Sequence, residues 1–126
     1  MDKARLKAIK IFADLEDADL AKIAAFADER SVSEGDTIVR EGDFSEDLIT
    51  IEEGTAAVKR GGETVAELGP GDFFGEIGVM QNEMRAATVV ATSPMRLITL
   101  THFDLKRMRD MPGVMDAIQK TAESRS

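Results

Sequence analysis

The chain has 126 residues, 43% of them hydrophobic and 32% charged, with a formal net charge of −8, which suits one soluble domain with a core and excludes a disordered chain. The excess of acids disfavours direct nucleic-acid binding, the absence of cysteine excludes disulfides and thiol chemistry, and the single histidine excludes multi-histidine metal sites. No apolar run approaches the ~18 residues of a membrane span and no signal peptide is visible, so we expect a cytoplasmic protein.

The first 30 residues follow a helical pattern. Leu6 and Ile9 are spaced three apart among good helix formers. A second stripe has the i, i+3, i+4, i+7 spacing of an amphipathic helix: Leu20, Ile23, Ala24 and Ala27. Asp14 or Asp17 is placed to cap this helix. We therefore predict N-terminal helices over residues 1–30 that pack an apolar stripe into the core.

Residues 31–101 change character, because glycines interrupt short β-prone runs. The clearest runs are Thr37–Val39, Leu48–Ile51, Ala56–Val58, Thr64–Ala66, Thr88–Ala91 and Leu97–Leu100. The pairs Glu53-Gly54 and Gly61-Gly62 are typical of hairpin turns. Many short strands at this spacing predict an antiparallel barrel or sandwich.

Residues 102–126 return to a helical pattern. Thr101 and Asp104 have the spacing of a capping box. Pro112 suits the first turn of a further helix, whose apolar positions are Val114, Met115 and Ile118. The predicted order is therefore helices, a small β-roll and helices, in a single domain over residues 1–126.

The segment after Phe74 has the features of an anion-binding site. Gly75 and Gly78 permit a close approach of a ligand, and a helix that begins after Gly75 would offer it unpaired N–H groups. Arg85 adds a planar, permanently charged group suited to two phosphate oxygens. Glu76 cannot bind phosphate, but its carboxylate is suited to accept hydrogen bonds from a sugar hydroxyl.

This segment resembles the phosphate-binding cassette of cyclic nucleotide-binding domains. Three further stretches resemble family signatures in the family's order: Arg40-Glu41-Gly42-Asp43, Glu53-Gly54 and Leu68 to Glu76. Glu76 and Arg85 stand nine positions apart, a spacing common in the family. The chain is most similar to the domains of bacterial cyclic nucleotide-gated channels and protein kinase A regulatory subunits. The resemblance implies an α+β fold, in which an eight-stranded antiparallel, jelly-roll-like β-roll carries N-terminal helices, a short cassette helix and two C-terminal helices.

The resemblance also implies the roles of the residues in the cassette, over positions 74–88. Arg85 would pair with the cyclic phosphate, and Glu76 would accept from the ribose 2′-hydroxyl. Val65 would form an apolar wall for the base. The ligand-binding set is completed by residues that line the cassette: Phe74, Gly75, Ile77, Gly78, Ala86 and Ala87. Ala86 stands where a threonine or serine tends to favour cGMP, so the resemblance favours cAMP, with cGMP as the alternative.

The final helix would close over the base as a lid. Its candidate contacts are Met115, Ile118, Gln119 and Lys120. The chain departs from the family where many members have glycine and proline before the arginine, since it has Asn82-Glu83-Met84 there. If the Glu83 carboxylate pointed inward, it would compete with phosphate for the Arg85 guanidinium.

The expected function is a cyclic nucleotide-binding regulatory or sensor module, which is not an enzyme and needs no cofactor besides its ligand. Movement of the C-terminal helix would signal to an unknown effector domain or protein partner. The sequence leaves open whether the chain forms a homodimer. The alternative is a degenerate member of the fold that acts in dimerisation or protein interaction. A cupin-like metal enzyme lacks the histidines it needs. A transcription regulator would need a helix-turn-helix, for which we expect no room in 126 residues.

Overall fold

The computed structural model describes residues 2–9, 12–13, 15–43, 47–74, 87–108, 110–111, 113, 116 and 120. Within these ranges the chain forms three short helices and eight strands. In chain order they are α1 (Lys3–Leu6), α2 (Asp17–Phe26), β1 (Asp28–Val32), β2 (Thr37–Val39), β3 (Asp47–Glu53), β4 (Ala56–Arg60), β5 (Glu63–Leu68), β6 (Phe73–Phe74), β7 (Thr88–Ala91), β8 (Met95–Thr101) and α3 (His102–Met108). No helix in those ranges is long and apolar enough to cross a membrane.

The eight strands form two antiparallel sheets of four. The first sheet has the strand order β1-β8-β3-β6, and the second sheet has the order β2-β7-β4-β5. Chain neighbours such as β3 and β4 therefore lie in different sheets, which is the jelly-roll-like arrangement. The predicted eight-stranded antiparallel fold is confirmed. The predicted cassette helix and the second C-terminal helix lie outside the described residues.

Two apolar clusters cover the two faces of the first sheet. The cluster between the sheets consists of Val32, Ile38, Ile49, Ile51, Ala56, Phe74, Val89, Ala91, Met95 and Leu97. The cluster beneath the helices consists of Leu6, Ile9, Phe12, Leu20, Ile23, Ala24, Leu48, Phe73, Ile98, Leu100 and Met108. Successive residues of one strand enter different clusters because side chains alternate across a sheet. The central strands β8 and β3 of the first sheet are thus buried on both faces.

The predicted apolar stripe of the second helix is confirmed at Leu20, Ile23 and Ala24, which are buried, whereas the fourth predicted member, Ala27, is half-buried at the C-cap. The predicted cap is not. Asp17 lies in the first turn, where its charge complements the helix dipole, and the N-cap residue Glu16 makes no side-chain cap. Asp14, the other candidate, lies outside the described residues.

The capping box that begins α3 is confirmed in both directions. The Thr101 N–H donates to Asp104 Oδ2 at 2.9 Å, and the Asp104 N–H donates to Thr101 Oγ1 at 3.2 Å. Because both bonds satisfy N–H groups at the helix start, α3 follows β8 without an intervening loop.

One of the two predicted hairpin turns is wrong. Gly61-Gly62 joins β4 to β5, which pair with each other, and both glycines have positive φ. Glu53-Gly54 instead joins β3 of the first sheet to β4 of the second sheet, so it forms a corner between sheets. The β-roll also begins earlier than predicted, because β1 starts at Asp28 and not at residue 31.

Gly54 is the tightest point of that corner. Its φ is +95°, and a Cβ at this position would lie 2.4 Å from the carbonyl oxygen of Pro94 and 2.7 Å from Cγ of Met95. The corner is also held by the neighbouring Thr55, whose N–H donates to Ser93 Oγ at 2.9 Å. Only glycine fits both the backbone angle and the space.

Candidate functional site

Most of the predicted ligand-binding residues lie outside the described residues. These are Gly75, Glu76, Ile77, Gly78, Arg85 and Ala86, and the same holds for the lid candidates Met115, Ile118 and Gln119. Three predicted site residues are described: Phe74, Ala87 and Val65. The exposed lid candidate Lys120 is described as well. The site is therefore defined by its frame, the strands that enter and leave residues 75–86.

The entry to this segment is fixed in the first sheet. In β6, Phe73 pairs with Thr50 and Phe74 with Ile49 of β3. The Phe73 side chain packs beneath the helices, and the Phe74 side chain packs between the two sheets. Because the Phe74 side chain is buried in the core, the predicted ligand contact at Phe74 concerns its backbone, and it stays a prediction.

The turn before β6 is locked onto β3 as well. Asp72 Oδ2 accepts the N–H of Gly69 at 2.8 Å, which closes the turn. Two backbone hydrogen bonds then join the turn to Ile51: its N–H donates to the Asp72 carbonyl, and its carbonyl accepts the Gly71 N–H, both at 2.8 Å. The point at which the chain enters residues 75–86 is therefore set by β3, whose residues 48–51 are all buried.

The exit from residues 75–86 is fixed in the second sheet. Half-buried Ala87 is followed by β7, which lies between β2 and β4. Val89 faces Val39 on one side and Val58 on the other, and its side chain is buried between the sheets. Residues 75–86 thus connect an anchored strand of one sheet to an anchored strand of the other.

Glu41 joins three parts of the chain next to this exit. Its N–H donates to Thr88 Oγ1 at 2.9 Å, and its Oε1 accepts the N–H of Gly61 at 3.3 Å. The β2–β3 connection, the β4–β5 turn and the first residue of β7 meet here, and we call this group the Glu41 junction. Sequence analysis missed it because Glu41 and Thr88 are 47 residues apart.

Val65 occupies an irregular position on the exposed strand β5. Val58 pairs with Ala66 and the next residue, Lys59, pairs with Thr64, which leaves Val65 as the extra residue of a β-bulge. Its side chain is 53% exposed, unusual for a large apolar residue in a strand. A bulge redirects a side chain, so Val65 is available for contact with a ligand.

A second charged group fastens α1 to the first sheet, away from the frame. Arg5 donates from Nε and Nη2 to the two carboxylate oxygens of Glu52, each at 2.6 Å, and also forms an ion pair with Glu29. Arg96 Nε lies 3.9 Å from Glu52 Oε1. Hydrogen bonds from Arg5 hold the pKa of Glu52 below its usual range, and Glu52 in turn raises the pKa of Arg5.

The described part of the chain contains no group of three or more acidic or histidine side chains that could hold a metal ion. The frame instead offers two anchored strand ends, a junction of backbone and side-chain hydrogen bonds, and an exposed apolar side chain.

The chain is similar to a known protein family and to curated proteins, among them a kinase regulatory subunit and a potassium channel. The family model described as "Cyclic nucleotide-binding domain" matches residues 29–111. A cAMP-dependent protein kinase regulatory subunit of Hypocrea atroviridis is 35% identical over 95 residues, which are 75% of this chain and 21% of that protein. A cyclic nucleotide-gated potassium channel of Rhizobium etli is 33% identical over 119 residues, which are 94% of this chain and 33% of that protein. The chain thus spans between a fifth and a third of these relatives.

Solved structures of similar fold cover almost the whole chain. The regulatory domain of Toxoplasma gondii protein kinase A, crystallised with cAMP, has a TM-score of 0.84 and 27% identity over 97% of this chain and 48% of that chain. The cAMP-bound protein PfPKA-R has a TM-score of 0.87 at 23% identity, over 97% of this chain and 43% of that chain, and shows likeness of fold alone.

Proposed function

This chain belongs to the cyclic nucleotide-binding domain family, and from that membership we propose that it is a cytoplasmic regulatory module that binds cAMP in preference to cGMP and catalyses no reaction. The observation that carries the proposal is the family match over residues 29–111, which spans the frame and the whole segment between β6 and β7. The likeness to regulatory subunits and channels supports a role in signalling.

The phosphate end of the ligand is assigned to Arg85 and the backbone around it. Arg85 precedes Thr88 by three residues, and Thr88 begins a strand held by β2 and β4. The planar, permanently charged guanidinium of Arg85 is suited to bind two oxygens of the cyclic phosphate.

The ribose and the base are assigned to residues from different parts of the chain. Glu76 follows the anchored Phe74 by two residues and would accept the ribose 2′-hydroxyl. Val65, exposed at the bulge of β5, would contact the face of the base. Ala86 in place of a serine or threonine supports the preference for cAMP.

The output is assigned to the chain after β8. The Thr101–Asp104 capping box joins α3 directly to β8, and Met108 at the end of α3 packs into the cluster beneath the helices. A ligand shifts the helices only if it binds one arrangement more tightly than the other. We propose that an effector domain or a partner protein responds to this shift of the helices.

The test is isothermal titration calorimetry with cAMP and then cGMP, after any co-purified nucleotide has been removed by unfolding and refolding. We expect cAMP to bind with a lower Kd than cGMP. Arg85→Ala should raise the Kd for cAMP at least tenfold, because a charge-assisted hydrogen bond contributes ~1.5–3 kcal/mol. Arg30→Ala, at an exposed arginine of β1, is the matched control and should leave the Kd unchanged.

The role of Glu76 is tested with a ligand that lacks the group it would bind. Glu76→Ala should weaken the binding of cAMP much more than the binding of its 2′-deoxy analogue. Equal losses of affinity for the two ligands would contradict the assignment. Absence of binding to either nucleotide by the unmodified chain would favour a degenerate domain that acts in dimerisation or protein interaction.

A further inference from the structure

The Glu41 junction links the two halves of the proposed ligand site. Through Thr88 it reaches the strand that begins three residues after Arg85. Through Gly61 it reaches the turn that opens β5, the strand that carries Val65. The residues assigned to phosphate and to base belong to separate parts of the chain, and one glutamate bonds to the strand that follows the first and to the turn that precedes the second.

The bonds of Glu41 are of a kind that sets position more than stability. Both are exposed to solvent, where a hydrogen bond adds little to the free energy of folding. The Glu41 N–H donates to the side-chain hydroxyl of Thr88 in β7, and the Glu41 carboxylate accepts the Gly61 N–H in the β4–β5 turn. At this turn Gly61 and Gly62 both have positive φ, which fixes how β5 leaves the hairpin.

We propose that Glu41 is a positioning residue for cyclic nucleotide binding, and that it holds the strand after Arg85 and the hairpin that carries Val65 in one fixed relation. This inference rests on the proposed function. Glu41 does not touch the ligand. Its backbone N–H acts on Thr88 on the phosphate side and its carboxylate acts on Gly61 on the base side, so loss of the carboxylate releases the hairpin from the strand that follows Arg85.

The sign of the effect separates positioning from simple electrostatics. Glu41 carries a negative charge near a site for an anion, so removal of that charge alone would strengthen binding. Loss of the junction would weaken binding. Glu41→Ala removes the charge and the acceptor together, whereas Glu41→Gln removes the charge and keeps a carbonyl oxygen to accept the Gly61 N–H.

The experiment measures the Kd for cAMP by calorimetry in the full chain and in matched pairs of variants. Glu41→Ala should raise the Kd about three- to tenfold, the loss expected for one hydrogen bond. Glu41→Gln should stay within about twofold of the unmodified chain. Thr88→Val, which removes the hydroxyl, should weaken binding like Glu41→Ala, and Thr88→Ser should restore it.

The control is Glu34→Ala, at an exposed glutamate in the β1–β2 turn for which the described part of the chain gives no hydrogen bond or ion pair. It should leave the Kd unchanged, and circular dichroism should show every variant folded. When Arg85 is already replaced by alanine, Glu41→Ala should raise the Kd for cAMP by a clearly smaller factor than it does in the unmodified chain. The reason is that part of its effect depends on the position of that arginine.

Three results would overturn the inference. Binding by Glu41→Ala that is as tight as in the unmodified chain, or tighter, would show an electrostatic role or none. Equal losses for Glu41→Gln and Glu41→Ala would show that the charge matters and the bond does not. An unmodified chain that binds neither nucleotide would overturn the proposed function, and the inference with it, whereas the first two results leave the proposed function standing.

Discussion

Two strands of this β-roll, β3 and β5, are similar in sequence character and opposite in surroundings. β3 lies between β8 and β6, and its side chains enter both apolar clusters. β5 pairs only with β4 in the described part of the chain, and every residue but its last is exposed. Burial of apolar surface is the main source of folding stability, so β3 holds the fold together. β5 is left free for contact with a ligand.

The contrast is tested most strongly by truncation of a core side chain. Ile51 in β3 is fully buried between the sheets, so Ile51→Ala should lower the free energy of unfolding by ~2–5 kcal/mol. Val65→Ala in β5 removes fewer atoms at an exposed position and should change it by less than ~0.5 kcal/mol. Urea unfolding measures both. Similar losses for the two variants would contradict the division between the strands.

The corner at the end of β3 is tested by a pair of glycine substitutions. Gly54 and Gly35 both have φ above +90°, so alanine strains the backbone at each. A Cβ at Gly35 would meet no atom within 4 Å, whereas at Gly54 it would collide with Pro94 and Met95. Gly54→Ala should therefore destabilise the fold by ~1–3 kcal/mol more than Gly35→Ala. Equal denaturation midpoints for the two variants would show that the corner shifts to accommodate the additional Cβ.

The charged side chain at the bulge of β3 gives a pH-dependent test. Because the pKa of Glu52 is lowered in the fold, ionised Glu52 adds stability above its unfolded pKa, and that stability is lost as the pH falls through the folded pKa. At pH 7, Glu52→Gln should lower the melting temperature by roughly 2–4 °C. The difference from the unmodified chain should shrink below about pH 4.3, the usual pKa of glutamate. A constant difference down to pH 2 would exclude the carboxylate as its source.

The smallest stability effect is paired with an effect on binding. Val65→Ala should raise the Kd for cAMP about three- to tenfold, since the contact with the base loses roughly two methyl groups. Its thermal unfolding should match that of the unmodified chain. If affinity is unchanged, Val65 is not part of the site, although the stability half of the contrast would stand.

Sequence patterns predicted the strands that carry an apolar or β-branched run and missed one charged strand and one very short strand. Six of the eight strands were found because β-branched runs between glycines mark half-buried strands. β1 was missed because four of its five residues are exposed and it carries three charged residues, a pattern without apolar alternation. β6 was missed because it has only two residues, and its pairing with β3 depends on distant chain.

A second division, between local and long-range contacts, decides what could be predicted around the candidate site. Local signals such as the Thr101–Asp104 capping box were readable, because both partners lie within one helical turn. The Glu41 junction and the bulges at Glu52 and Val65 depend on register between strands far apart in sequence. A local sequence pattern does not determine the register between such distant strands. The cassette roles of Glu76 and Arg85 came from the family resemblance and stay predictions.

The pairing of the first strand with the last has a consequence for the order in which the chain folds. In the described part of the chain β1 pairs only with β8, where Asp28 faces Thr99, and β3 pairs with β8 along most of its length. Contacts between residues so far apart in sequence make folding slow, because a long loop must close before they form. On the ribosome, the first sheet stays incomplete until β8 has emerged, and the apolar side chains of β3 stay partly uncovered until then.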